Sequence, residues 1–163
     1  MLYLRPILPS DNAAVARIIR TVMPEFNCVG EGYSINDPEL EDMHTAYSQP
    51  RSGFFVLVDD TRNDEVVGVG GYAPLAGSDG TVCELRKMYL LSQTRGKGGG
   101  RLLMDRCITD ARRDGYARMY LETVASMTSA AAVYEKYGFT PLPGPLGSTG
   151  HSGCDRFMIK SFR

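Results

Sequence analysis

The sequence predicts an α/β (α+β) protein built on one mixed sheet with helices on both faces. Three patterns carry that expectation. Strand-length apolar blocks at 53–59 and 65–72 flank the polar stretch Asp60-Thr61-Arg62-Asn63-Asp64, the signature of an antiparallel hairpin. A strand, a helix and another strand follow between residues 82 and 123, and a crossover helix makes such a pair parallel. The full order, β-α-α-β-β-β-α-β-α-β-β, holds no internal repeat and no low-complexity tract, so the 163 residues read as one domain, 1–163.

The elements follow from local chemistry. Leu2 to Ile7 reads as a short strand that stops at Pro9-Ser10. Ser10 or Asp11 is placed to cap a helix in which Ala14, Val15, Ile18, Ile19 and Val22 recur at helical spacing, and Pro24 ends it. A second short helix is expected from Pro38 to Tyr47, with Asp37 as cap and Pro38 at its first position. The turn Ala76-Gly77-Ser78-Asp79-Gly80 separates the hairpin from a strand at Val82 to Leu90. After a glycine-rich segment, a helix runs to about Asp114, with Leu103, Met104, Cys107, Ile108 and Ala111 on one face and Gly115 as its stop. Met119 to Thr123 reads as a strand. Ser126 or Thr128 then caps a helix through Tyr137, closed by Gly138, and Thr140–Leu142 and Asp155–Ser161 read as the final strands.

Composition excludes several classes of function. Eighteen Lys and Arg against nineteen Asp and Glu give a net charge of −1, which lacks the basic footprint of a nucleic-acid-binding protein. Hydrophobic residues at 43% with charged residues at 23% exclude a disordered chain. No stretch approaches the roughly 18 apolar residues of a membrane span, and no basic region followed by an apolar block marks a secretory signal. Cys28, Cys83, Cys107 and Cys154 are scattered without C-x-x-C, as expected of buried inert thiols in a reducing cytoplasm.

The most informative segment is Gln93-Thr94-Arg95-Gly96-Lys97-Gly98-Gly99-Gly100-Arg101, between a strand and a helix. Glycines there let backbone N–H groups converge on an anion, and the helix dipole adds to the attraction. From Arg95 to Arg118 there are seven Arg or Lys and three Asp, so the ligand implied carries phosphates. The Rossmann pattern would need glycine at Arg101, and a Walker loop would need Ser or Thr at Gly98, so neither common nucleotide motif fits.

Gln93-Thr94-Arg95-Gly96-Lys97-Gly98 resembles Q/R-x-x-G-x-G/A, the acyl-CoA pyrophosphate loop of the GNAT superfamily of N-acetyltransferases. Leu121-Glu122-Thr123-Val124-Ala125-Ser126, then Ala130 and Tyr134-Glu135-Lys136-Tyr137-Gly138-Phe139, resembles a second block of those enzymes. The resemblance departs at Met127, where the family carries an Asn that contacts the pantetheine arm; Ser126, Thr128 or Ser129 stands nearby to take over. It implies a mostly antiparallel, twisted sheet whose central parallel strands splay apart around acetyl-CoA. It also implies that the pantetheine pairs with backbone of Met88, Tyr89 and Leu90 and that the pyrophosphate sits on Arg95, Gly96, Lys97, Gly98, Gly99, Gly100 and Arg101. A homodimer is the family's habit.

Acetyl transfer to an amine needs a base for the ammonium, a donor for the oxyanion and an acid for the departing thiolate, with no metal and no covalent intermediate. Tyr134 matches the family's acid. Glu84, in the strand leading to the loop, and Glu122, in the second block, are two candidate bases; the alternative for either is a structural carboxylate paired with Arg86 or Arg118. His151 and Cys154 have H-x-x-C spacing, but two ligands do not make a zinc site. His151 lies in a loop where eight of the seventeen residues from Gly138 to Cys154 are Gly or Pro, and such a loop walls the acceptor site in the family. Between Arg20 and Arg51 there is no Lys or Arg, while Glu25, Glu31, Asp37, Glu39, Glu41 and Asp42 are all acidic. Glu25 and Glu31 are therefore read, with His151, as contacts for a cationic small-molecule or peptide amine. The competing reading is an acetyl-CoA-binding sensor without turnover, supported only by Met127.

Overall fold

The computed structural model describes residues 1–163. Seven strands form one sheet in the order β1-β2-β3-β4-β5-β7-β6. They are β1 (Leu2–Pro6), β2 (Gly53–Asp59), β3 (Glu65–Pro74), β4 (Val82–Leu90), β5 (Arg118–Thr123), β6 (Thr140–Leu142) and β7 (Arg156–Ser161). All neighbours pair antiparallel except β4 and β5. The four α-helices are α1 (Asn12–Val22), α2 (Met43–Ala46), α3 (Gly99–Arg113) and α4 (Thr128–Lys136).

Period-two alternation in β2 divides the core. Phe54, Val56 and Val58 point to one face, where they pack with Val15, Ile18, Ile19 and Val22 of α1. Phe55 points to the other, with Leu103, Met104, Cys107 and Ala111 of α3 and with Tyr134 of α4. Each fully buried aliphatic side chain contributes about 1.5–3 kcal/mol, so these two layers hold the sheet between the helices.

The expected second helix is not continuous. Pro38–Glu41 forms a 3₁₀ turn, and Asp42 breaks the chain at φ −152° and ψ 73° before α2 begins. Asp42, not Asp37, is the side-chain cap, accepting from the Thr45 N–H at 3.1 Å. Asp37 is drawn away to Lys87, and that diversion matters for the site. Likewise Asp11 precedes α1 without capping it. Its carboxylate takes two bonds from Arg5, at 2.7 and 3.0 Å, and one from the Leu8 N–H. No side chain caps α4 either, where Met127 occupies the cap position.

Two irregularities open the centre of the sheet. The parallel pairing covers only Val82↔Arg118, Cys83↔Met119 and Glu84↔Tyr120, so β4 and β5 part company beyond Glu84. Opposite β3, the register jumps from Val69↔Tyr89 to Gly71↔Arg86, which leaves Lys87 and Met88 bulged against Gly70. Lys87 holds a left-handed conformation at φ +53° to make this bulge.

Candidate active site

The parted strands open a pocket lined by Glu84 to Tyr89 of β4, by Leu121 to Thr123 of β5, and by Val124, Met127 and Tyr134. Met23, Cys28, Tyr33 and Ser34 close one wall, and His151 and Cys154 close another. The two walls meet: Gly153 donates its N–H to the Gly32 carbonyl at 2.9 Å, and the Tyr33 ring lies against the Gly153 backbone.

At one end of β4 the chain turns through Gly96 to Gly98 into α3. Gly98 sits at φ +86° as the helix cap. Gly99 begins the helix so close to the sheet that a Cβ there would lie 2.3 Å from Leu57 Cδ2 and 3.0 Å from Leu90 Cδ2. None of the backbone N–H groups from Gly96 to Arg101 donates to an acceptor in the protein, so a row of donors at a helix start awaits an anion. Lys97 and Arg101 are exposed and form no ion pair. Arg95 differs. It folds back onto the Leu90 carbonyl at 2.9 and 3.1 Å and pairs with Glu25 at 2.7 Å, with Phe26 beneath its guanidinium. It ties the end of β4 to the segment after α1. Gln93 is exposed.

Tyr134 of α4 lines the pocket. It is the one buried residue of α4, and its ring packs on Phe139 at 5.9 Å. The hydroxyl makes no hydrogen bond to the protein, and burial pushes its pKa up to about 12. The Tyr134 ring is part of the core layer beneath α3, with Ala130 and Tyr137 packed against the same cluster, while Val133 is exposed and the Tyr137 hydroxyl is bonded to Asp105 at 2.7 Å.

The carboxylates come together with the loop histidine. One nitrogen or oxygen each of Glu84, Glu122 and His151 lies within 4.8 Å of the others. Glu84 is 3% exposed, and its Oε1 accepts from Arg86 Nε at 2.6 Å. Its Oε2 has no donor in the protein. Burial raises the Glu84 pKa; Arg86 opposes that shift and Glu122 adds to it. Both oxygens of Glu122 are occupied, Oε2 by the Tyr120 hydroxyl at 2.7 Å and Oε1 by the Thr149 hydroxyl. Arg118 pairs with neither carboxylate. Glu84 Oε1, both oxygens of Glu122 and Nε2 of His151 have protein partners, while Glu84 Oε2 and His151 Nδ1 have no hydrogen bond within the protein.

His151 Nε2 meets both oxygens of Asp37, at 3.0 and 3.1 Å, and Nδ1 faces Glu122 Oε1 at 3.8 Å. Asp37 is held in turn by Lys87 Nζ at 2.7 Å, and the same ammonium bonds Glu39. The Lys87 side chain is 2% exposed, so the bulge residue is a buried cation neutralised by two acids from the segment before α2. The Asp37 bond raises the His151 pKa, against burial. Burial also pushes the Cys154 thiol up to about 12, with Glu122 adding to the shift, so it is not a thiolate nucleophile. No helix is long and apolar enough to cross a membrane.

The sequence profile of the acetyltransferase (GNAT) family matches residues 16–139. The uncharacterized N-acetyltransferase YjgM of Escherichia coli (strain K12) is 41% identical over 96% of this chain and 93% of its own length. The chain belongs to the GNAT acetyltransferase family. An IAA acetyltransferase of Azospirillum brasilense is 31% identical over 81% of this chain and 82% of its own. The fold agrees: a GNAT acetyltransferase from Staphylococcus aureus Mu50 superposes over the whole of both chains with a TM-score of 0.86 at 22% identity. An acetyltransferase of Salmonella typhimurium, solved with its cofactor acetyl-CoA, covers 100% of this chain and 95% of its own, with a TM-score of 0.77 at 22% identity.

With the GNAT frame in place, the sequence-derived site residues sort by location. Glu84, Glu122, Tyr134, Met88, Tyr89 and His151 line one pocket. Leu90 and the segment Gly96–Arg101 continue from it along β4 into α3. Ser126 and Ser129 are exposed at the entry to α4, and the Ser126 hydroxyl is spent on the Phe26 carbonyl at 3.2 Å. The structure does not bring Glu25 or Glu31 to the pocket: Glu25 serves Arg95, and Glu31 is exposed and unpaired. Sequence reasoning missed Lys87 as the anchor of Asp37. The acidic stretch did hold the signal, because a segment without Lys or Arg must find its cation elsewhere.

Proposed function

We propose that this GNAT acetyltransferase moves an acetyl group from acetyl-CoA directly to a primary amine of a small molecule or peptide, in a ternary complex. The observation that carries the proposal is one pocket at the parted strands with an unpartnered carboxylate oxygen, Glu84 Oε2, and an unpartnered phenol, Tyr134. Acid and base therefore face the same space with nothing in the protein to satisfy them.

In this reading the unpaired N–H row of Gly96 to Arg101, with Lys97 and Arg101, takes the pyrophosphate. The edge of β4 that loses β5 beyond Glu84 pairs with the amides of the pantetheine arm as a missing strand would. Glu84 accepts the proton of the acceptor ammonium, because its Oε2 is free whereas both oxygens of Glu122 are engaged. Its raised pKa brings it closer to the amine's and improves that transfer. An N–H of β4 such as that of Leu90 supports the oxyanion. Tyr134 protonates the departing thiolate, and burial among apolar neighbours keeps its phenol in the donor form. The chemistry needs no metal.

Release of free CoA thiol, followed with a panel of amines, tests the proposal. Release that depends on a saturable primary amine, with no acetyl left on the protein by mass spectrometry, is the expected result. A burst of thiol without amine, leaving an acetylated protein, would replace direct transfer with a covalent route.

A further inference from the structure

We propose that Glu84, Glu122 and His151 form a three-point cradle that holds the acceptor as its primary ammonium, with Asp37 setting the histidine tautomer that completes it. This deepens the amine reading above and rests on it.

The geometry is that of a small triangle. A triangle no wider than 4.8 Å on a side has its centre about 2.8 Å from each corner, which is hydrogen-bond length. A primary ammonium brings three N–H donors to a single nitrogen, and three acceptors surround that centre. The separation of His151 Nδ1 from Glu122 Oε1, 3.8 Å, is too long for a direct bond and wide enough for one nitrogen to bridge. Glu84 supplies one carboxylate oxygen, and its Oε2 has no donor in the protein. Glu122 Oε1 keeps an acceptor position beyond the one taken by Thr149, since a carboxylate oxygen accepts more than one bond.

Histidine is the member that needs explaining, because imidazole accepts at only one nitrogen. Asp37, an acceptor, meets Nε2 with both oxygens, so Nε2 must carry the hydrogen. The lone pair is then on Nδ1, facing the triangle. Lys87 fixes Asp37 from behind. The bulge residue Lys87 thus sets, two hydrogen bonds away, the acceptor character of His151.

The charges around His151 give the arrangement a pH signature. Around it stand the carboxylates of Asp37, Glu84 and Glu122, the Lys87 ammonium, the Arg86 guanidinium bonded to Glu84, and the Cys154 thiol on its own loop. A proton on Nδ1 occupies the space the ammonium needs, so the two cations compete. Primary amines bind better as pH rises through the histidine's pKa, which lies above the ordinary value. Secondary, tertiary and quaternary amines bring fewer N–H donors and more bulk and fit progressively worse.

The chain has only two histidines, His44 and His151, and His44 lies outside this pocket. Nitrogen-15 NMR of both rings in the full-length protein, titrated with methylammonium or trimethylammonium chloride at equal ionic strength, therefore reads the cradle without acetyl-CoA or turnover. At high pH, His151 is expected as the Nε2–H tautomer. Methylammonium at ten times its Kd should lower the apparent pKa of His151 by about one unit, and trimethylammonium should leave it unmoved. His44 should respond to neither. In Asp37→Asn the tautomer preference and the methylammonium response should both shrink, with the His44 signals reporting that the fold persists. If Asp37→Asn does not fold, the wild-type titration decides alone. An Nδ1–H tautomer, or equal shifts with both ammonium salts, would overturn the proposal while leaving acetyl transfer untouched. Failure of the thiol assay with a normal methylammonium response would do the reverse.

Discussion

The glycine turn after β4 and the pocket between the parted strands are two ends of one site built from different materials. The turn from β4 into α3 presents backbone: a row of N–H groups fixed by glycine geometry, with exposed cations around it. The end proposed for the acceptor presents side chains, each braced by another: Glu84 by Arg86 and Glu122 by Tyr120 within their own strands, and, from distant segments, Glu122 by Thr149, His151 by Asp37 and Asp37 by Lys87. A backbone site serves a ligand that never changes. A side-chain site can be altered residue by residue without moving the cofactor, which fits one fold serving many acceptors.

Substitutions can separate the two ends. The largest effect is expected in Tyr134→Phe, which removes the acid but no packing: kcat should fall by about 100-fold, with the KM values for acetyl-CoA and amine little changed. Unchanged turnover would remove Tyr134 from the mechanism. A smaller effect, confined to the acceptor end, is expected in Lys87→Met. It leaves Asp37 and Glu39 facing each other without their buried cation, at a cost of about 2–3 kcal/mol, less than for a fully buried pair because both acids keep some solvent. Thermal unfolding should show a Tm lower by about 4–12 °C. The KM for the amine should rise and the Kd for acetyl-CoA should stay within about twofold. Equal weakening of both ligands would mean that the two ends are not independent.

The same division explains what could be read from the sequence. Glycine turns, amphipathic α1 and α3 and the strand blocks are local patterns, and β2 and β4 appear in the structure with the boundaries the sequence indicates. The glycine turn is legible because its geometry is a property of its backbone. The acceptor end was only half legible. Glu84, Glu122, Tyr134 and His151 could be nominated singly, but the Asp37–Lys87 and Asp37–His151 bonds span 50 and 114 residues, and no spacing rule reaches so far. Lys87 was invisible for a second reason: its φ of +53° belongs to glycine or asparagine by preference, so nothing in a Lys at mid-strand signals a bulge. Asp37 misled because an acid before a proline reads as a helix cap until a buried ammonium competes for it. Glu25 and Glu31 rest on the acidity of their segment and on the resemblance that places the first helices beside the acceptor, and neither says which acid faces inward.

The account rests most heavily on the backbone end, since without a phosphate-bearing thioester there the acceptor end has nothing to receive. Thermal unfolding of the wild-type protein with acetyl-CoA, ATP or NADH, each in large excess, tests it most directly. A ligand at 100 times its Kd adds about 2.7 kcal/mol, which for a chain of this length raises Tm by about 5–11 °C. The account predicts that rise with acetyl-CoA alone. No rise with acetyl-CoA, or a larger one with ATP, would contradict it.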